Sequence, residues 1–296
     1  MKYQSALKWL IPLIGILALF AVLMGLFYET PGQPYPVTSF RGEQVMINGH
    51  GLYYYDTVST AAQMQGNDII TLIIGLPLLV ISTWLAFHGS LRGRLLLTGT
   101  LAFFLYIYMY MSMSMLTAYN ALFLVYAALF TMSLYAFILS ISSFDLMDLP
   151  SHFSERLPRG WIACVLFAVG GFLSLAWFGR VIPELFHPET PAALENTTTR
   201  VIQAMDLTLI APLAILAGIL LLRRSAWGYL LASVAILKGL TMSLAVSAMG
   251  INMALKGVPD GPGILIPFLV LTAFNLVVAI LLLKNIDVQQ GEAIPA

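Results

Sequence analysis

The 296-residue chain is 59% hydrophobic and 9% charged, with no net charge and a mean hydropathy of +0.89; soluble domains carry about 25% charged residues. Such a chain reads as an integral membrane protein, and its balanced charge offers no basic surface for nucleic acid. The alternating ten-residue segments of a transmembrane β-barrel are missing, so helices are expected to carry the fold.

A helical span needs about 20 mostly apolar residues. Eight stretches qualify: 9–28, 69–88, 95–116, 120–143, 161–179, 207–222, 226–249 and 263–283. The first follows Lys2 and Lys8 and could pass for a secretion signal. Its length and the lack of a small-residue cleavage site in the following text favour a retained anchor. A long segment, 29–66, comes next, with Pro31, Pro34 and Pro36. Within it Asn48-Gly49 predicts a small hairpin between Val45–Ile47 and Leu52–Tyr54. The adjoining Tyr53, Tyr54 and Tyr55 read either as part of a cover over the bundle or as anchors at headgroup depth.

Asp68 opens the second span, which contains Pro77 and ends at the basic turn Leu91-Arg92-Gly93-Arg94. The third span holds Tyr106 and Tyr110, one turn apart, and a run of alternating methionines that helical geometry scatters around the axis. Tyr119-Asn120 forms the next turn and is also a polar pair at the mouth of the bundle. The fifth span holds the lone Cys164, so no intramolecular disulfide is possible. A second long segment, 180–204, contains the sequon Asn196-Thr197-Thr198. Asp206 opens the sixth span, which contains Pro212 and ends at Arg223-Arg224. The eighth span carries Asn275.

The seventh span holds the most informative residue. Lys238 stands alone in an uncharged run from Ser225 to Lys256, about 18 Å along the helix from Ala226. An unpaired ammonium near the bilayer centre costs about 2.5–3.5 kcal/mol or more, which makes it a functional-site candidate by default. It must face the bundle, with Asp206 as first-choice partner and Asp68, Tyr106, Tyr110 and Asn275 as the others. A lysine–carboxylate pair that only fixes packing remains open, as does the reading of Asp68 and Asp206 as plain helix caps.

The halves resemble each other. An offset of 138 residues lays Asp68 on Asp206, which predicts two parallel four-helix halves, 1–150 and 151–296, related by an axis along the membrane normal. The basic residues set the orientation. With the N-terminus inside, nine (Lys2, Lys8, Arg92, Arg94, Arg156, Arg159, Arg223, Arg224, Lys284) are cytoplasmic and four (Arg41, Arg180, Arg200, Lys256) are outside. Both termini are then cytoplasmic in a cell membrane, plasma or inner. Nine of the fourteen acids fall outside, favouring a cationic or neutral partner there.

No metal site or cofactor is expected: the four histidines are dispersed, and neither a phosphate loop nor a nucleophile elbow is present. The sequence is thus read as an eight-helix membrane protein, transporter-like, with a polar cavity around Lys238, Asp206, Asp68, Tyr106, Tyr110, Tyr119, Asn120 and Asn275 that takes a small solute, ion or lipid-like ligand. The alternatives are a membrane-embedded enzyme acting on a lipid-like or quinone-like substrate, and a membrane sensor or assembly factor.

Overall fold

The computed structural model describes residues 1–113, 117–187 and 194–286. Residues 114–116 of the third expected span, 188–193 of the second long loop with Glu189, and the tail 287–296 with Asp287 and Glu292 lie outside the described residues. Eight helices are long and apolar enough to cross a membrane, as expected of a multi-pass membrane protein: α1 (Gln4–Phe27), α2 (Val58–Phe87), α3 (Leu91–Ser112), α4 (Phe123–Ile141), α5 (Arg159–Phe186), α6 (Val201–Leu222), α7 (Ala226–Leu255) and α8 (Gly261–Lys284). Two short strands between α1 and α2, β1 (Tyr35–Thr38) and β2 (Gln44–Ile47), pair antiparallel with Tyr35 opposite Ile47 and Thr38 opposite Gln44. They mark one end of the bundle, the hairpin end. Arg92, Arg94, Arg159, Arg223 and Arg224 gather at the other, the arginine end.

The Asn48-Gly49 hairpin does not form. Asn48 Nδ2 instead donates to the carbonyls of His50 (2.8 Å) and Tyr53 (3.2 Å), and Gly49 takes a φ of +71°. This compact loop sends Tyr53 down into the core, where it is 1% exposed, while Tyr55 stays 63% exposed. Satisfying the asparagine amide locally and burying one large ring outweighs a second short strand.

Several helices begin or end beyond the apolar windows. α2 starts at Val58 rather than near 69, with Thr57 as its N-cap accepting from the Thr60 N–H (3.1 Å); α5 runs on to Phe186. Neither aspartate caps a helix: Asp68 lies eleven residues into α2, and Asp206 is the sixth residue of α6. The reason is burial of polar side chains against neighbouring helices rather than in water. Ser59, Thr60, Asn67 and Asp68 are each 9% exposed or less.

Two helices form the centre. α3 and α7 pack on each other and on most of the rest, and α3 is the most buried of the spans while α8 is the least. One apolar core joins mainly α1–α4 and a second joins mainly α5–α8 with the 144–157 segment. Within each set the first helix packs on the second and the fourth, the second on the third, and the third on the fourth.

The clearest correspondence is local. Leu76–Phe87 and Ala211–Leu222 are α-helical stretches of 12 residues, each preceded by a five-residue π-helical turn, Thr71–Gly75 and Asp206–Ile210. Pro77 and Pro212 follow directly; proline cannot donate and its ring displaces the carbonyl four residues before it, a strain that a widened turn relieves. Ser90 and Ser225 then precede the next helix, their N–H groups donating to Leu85 and Leu220 carbonyls (3.1 and 3.0 Å). Gly93 and Gly228 lie against the backbone of those leucines. All these pairs are 135 residues apart, so the offset of 138 is corrected, and Asp206 falls opposite Thr71 rather than Asp68.

One relationship differs between the sets. α2 lies tightly on α7, with Gly66 so close that a Cβ there would meet the Met249 backbone at 2.7 Å. α6 has no comparable backbone packing on α3. Side chains fill that wider space.

Candidate functional site

α7 presents Lys238 toward α3, where its Nζ stands 4.0 Å from the centre of the Tyr106 ring. The Tyr106 hydroxyl donates to Asp206 Oδ1 at 2.7 Å. From α5, Trp177 Nε1 donates to Asp206 Oδ2 at 3.0 Å. One ring therefore holds an ammonium on its face and a carboxylate at its tip. Among the described residues Lys238 forms no salt bridge or hydrogen bond with Asp206, so the expected pairing is indirect, through Tyr106. A desolvated cation–π contact contributes about 2 kcal/mol, comparable to the cost of the isolated charge, and the carboxylate beyond the ring adds Coulombic attraction. Asp206 is 8% exposed and Tyr106 6%.

Asp206 is placed by the π-helical turn that begins with it. Such widened turns leave carbonyls free and aim side chains off the regular helical stripe, and they recur at functional positions. The same turn in α2 begins at Thr71, whose hydroxyl is buried without a partner.

A second polar group lies next to the first. The Tyr53 hydroxyl donates to Asp68 Oδ2 at 2.7 Å. α1 comes close enough to cover the pair only because residue 25 is glycine: a Cβ there would stand 2.0 Å from Asp68 Oδ2. Tyr110 and Tyr126 are buried within electrostatic reach of Asp68, and their hydroxyls have no hydrogen-bond partner. Tyr110 also packs edge to face on Tyr106, with ring centroids 5.9 Å apart. α3 thus links the two carboxylates through adjacent tyrosines.

Depth orders these groups. Counted from the arginine end at about 1.5 Å per residue, Lys238 lies about 18 Å up, Tyr106 about 22 Å, Asp206 about 24 Å, and Tyr110 and Asp68 about 28 Å. The polar side chains climb from the middle of the bundle toward the hairpin end.

Of the other sequence-derived candidates, Asn275 is 1% exposed and packs on Gly239, beside Lys238, with its Nδ2 unpaired. Asn120 Oδ1 accepts from the Leu122 N–H (2.9 Å) and forms a turn. Tyr119 is 70% exposed, stacks on Phe123, and does not join the group. Sequence reasoning missed Trp177, because an indole in an apolar span reads as lipid-facing. It also missed Tyr126, and it read Tyr53 as part of a cover or anchor rather than as the partner of Asp68. Among the described residues no cluster of three His, Cys, Asp or Glu side chains could hold a metal ion.

Two spaces adjoin these groups. One is a cavity at the hairpin end, between 55–60, 117–118 and 196–201. The other is an apolar lateral groove of about 420 Å3 between α5 and α6, lined by Phe178, Leu207, Pro212 and Ile215; Phe178 and Leu207 directly follow Trp177 and Asp206. No protein-family model, curated protein or solved structure matches the chain.

Proposed function

We propose that the chain is a transporter-like membrane protein in which Lys238, Tyr106 and Asp206 form an ion- or proton-linked coupling site reached from the hairpin end. The observation that carries this reading is the sharing of one tyrosine by a buried ammonium and a buried carboxylate at mid-depth. Groups of that kind inside a span mark ion or proton routes more often than packing. Asp68 with Tyr53, Tyr110 and Tyr126 continues the route outward. The arginine end is cytoplasmic, with both termini, in a plasma or inner membrane. The acid-rich hairpin end then faces outward and favours a cationic or neutral solute.

In this reading the chain is a tandem duplication, 1–150 and 151–296, with its halves parallel and in register at 135 residues. The coupling site sits where the two halves part company. Position 71 is threonine where its counterpart 206 is aspartate, and position 103 is phenylalanine where its counterpart is Lys238. A two-fold scaffold with one charged side is a common way to give paired halves one working site.

The lateral groove beside Trp177 and Asp206 supports a second reading, an enzyme acting on a lipid-like or quinone-like substrate that enters from the bilayer, with Lys238 and Tyr106 as acid–base groups. Charge movement separates the two. Protein reconstituted in liposomes on a solid-supported membrane is challenged with concentration jumps of monovalent cations, small amines, amino acids and sugars. The transport reading expects a transient current for at least one of them, lost in Lys238→Met and in Asp206→Asn. If none gives current, transport is overturned, and a new lipid or quinone product found by mass spectrometry under the same conditions establishes the second reading.

A further inference from the structure

The cavity at the hairpin end is distinct from the Lys238 site and has a chemistry of its own. Its volume is about 200 Å3, and its walls are Tyr55–Thr57 and Thr60, Thr117–Ala118, and Asn196–Thr199 with Val201. Asp56 is its one charged lining residue, with no lysine, arginine or histidine among the rest. Asp56 is 4% exposed. One carboxylate oxygen, Oδ1, accepts from the Ala118 N–H at 2.6 Å; the other, Oδ2, is buried with no hydrogen-bond partner. A buried carboxylate oxygen left without a donor is costly, and a donor supplied by a ligand removes that cost.

The lining selects the ligand class. A lone acid without a base repels anions. Six threonines and one asparagine suit a hydrogen-bonding molecule better than an apolar one. A divalent ion demands several oxygen ligands of high charge, and one carboxylate does not supply them. The exposed Tyr55 ring adds an aromatic face, which favours organic cations. At the rim Glu195 accepts a hydrogen bond from the Thr57 hydroxyl, adding a second negative charge.

We propose that this cavity binds a small organic ammonium ion, with Asp56 Oδ2 accepting from the N–H of the ligand and the threonine hydroxyls holding its polar substituents. The site draws its wall from both halves of the chain, so occupation ties residues 55–60 to 196–201. It stands apart from the coupling site, and either assignment can fail without the other.

Burial raises the Asp56 carboxyl to about 7, against the opposing pull of the Ala118 amide. The groups near it are Glu195 at the rim, Tyr126 on α4, and Arg41, which reaches the Thr198 carbonyl at 3.5 Å. The carboxylate is therefore charged above neutrality, and ammonium binding weakens as pH falls below it.

The test measures thermal stabilisation and calorimetric binding of the purified full chain with three probes of matched size: protonated ethanolamine, neutral ethylene glycol and anionic glycolate. The expected result is binding of ethanolamine alone, at least about tenfold weaker in Asp56→Asn. Asparagine can still accept from Ala118, so the loop tie survives. A second variant, Thr199→Phe, fills the cavity from the opposite wall without touching Asp56 and is also expected to lose binding. Equal effects of the three probes, no binding of ethanolamine at millimolar concentration, or unchanged binding in either variant overturns the proposal.

Discussion

Tyr106 donates its hydroxyl to Asp206 at 2.7 Å and carries Lys238 over its ring at 4.0 Å. The two roles use different parts of one side chain and can be separated. Tyr106→Phe keeps the ring under Lys238 and deletes the hydrogen bond, leaving Trp177 as the remaining donor to Asp206. The expected loss is about 1.5–3 kcal/mol, the usual worth of a hydrogen bond to a charged group. Tyr106→Ala loses both and should cost more, with a cavity added. Chemical denaturation in micelles ranks the variants, and equal losses for Phe and Ala would show that the hydroxyl carries the whole effect.

Close helix approach makes a second, sharper expectation. A methyl group at Gly66 would meet the Met249 backbone at 2.7 Å, and neither helix can yield without opening the α2–α7 seam. Gly66→Ala should destabilise by about 1–3 kcal/mol, the range for overpacking. At Gly171, where nothing lies within 4 Å of an added Cβ, alanine should be neutral or stabilising by up to about 1 kcal/mol, since it is the better helix former. Thermal melts of the two variants side by side check the contrast.

Much of this architecture is legible in the amino-acid sequence, and the limits have physical causes. Eight spans are visible because apolar stretches of that length have no other soluble or membrane role. Helix ends are not: Thr60, Asn67 and Asp68 read as solvated text, and only the neighbouring helices show that they are buried. Lys238 stands out because a lone charge amid apolar residues has to be explained. Its connection to Asp206 through Tyr106 is invisible, because nothing in the spacing of 106, 206 and 238 sets three helices to one depth. Aligning the two aspartates suggested an offset of 138, whereas the proline-linked π turns, which no sequence pattern announces, set it at 135.

Asp56 gives a pH signature. Its carboxyl is raised to about 7 by burial, against about 3.9 in an unfolded chain. The folded state therefore binds the proton more tightly, and stability is greatest below about pH 4, falling as pH rises to about 7 and level beyond. The full span of this effect is about 3 kcal/mol or less. Asp56→Asn cannot ionise. In the absence of ligand it should flatten that part of the profile and be the more stable protein at pH 8. Melting temperatures between pH 5 and pH 8 decide it, and a parallel profile for the variant would remove Asp56 as the titrating group.

Orientation follows from where the arginines gather. Replacing the native Cys164 by alanine leaves a thiol-free chain, into which Arg41→Cys at the hairpin end and Arg223→Cys at the arginine end are introduced singly. An impermeant maleimide added to intact cells should label position 41 and spare 223 until the membrane is opened. Labelling in the reverse order would place the acid-rich end in the cytoplasm and turn the proposed solute path around.

The charges of the coupling site predict an asymmetry. Lys238→Met removes the ammonium and leaves Asp206 with two donors, Tyr106 and Trp177, so the remaining carboxylate keeps its hydrogen bonds. The expected change is small, or favourable, as when buried charges are replaced by apolar groups of similar bulk. Asp206→Asn leaves the ammonium over Tyr106 with no counter-charge behind the ring, and removing one partner of a buried pair typically costs about 3–5 kcal/mol. The double variant should recover most of that loss, because it no longer buries a lone charge. A double-mutant cycle by chemical denaturation reads the coupling directly. Strictly additive losses would mean that Lys238 and Asp206 do not sense each other through Tyr106, and the coupling site would then lose its physical basis.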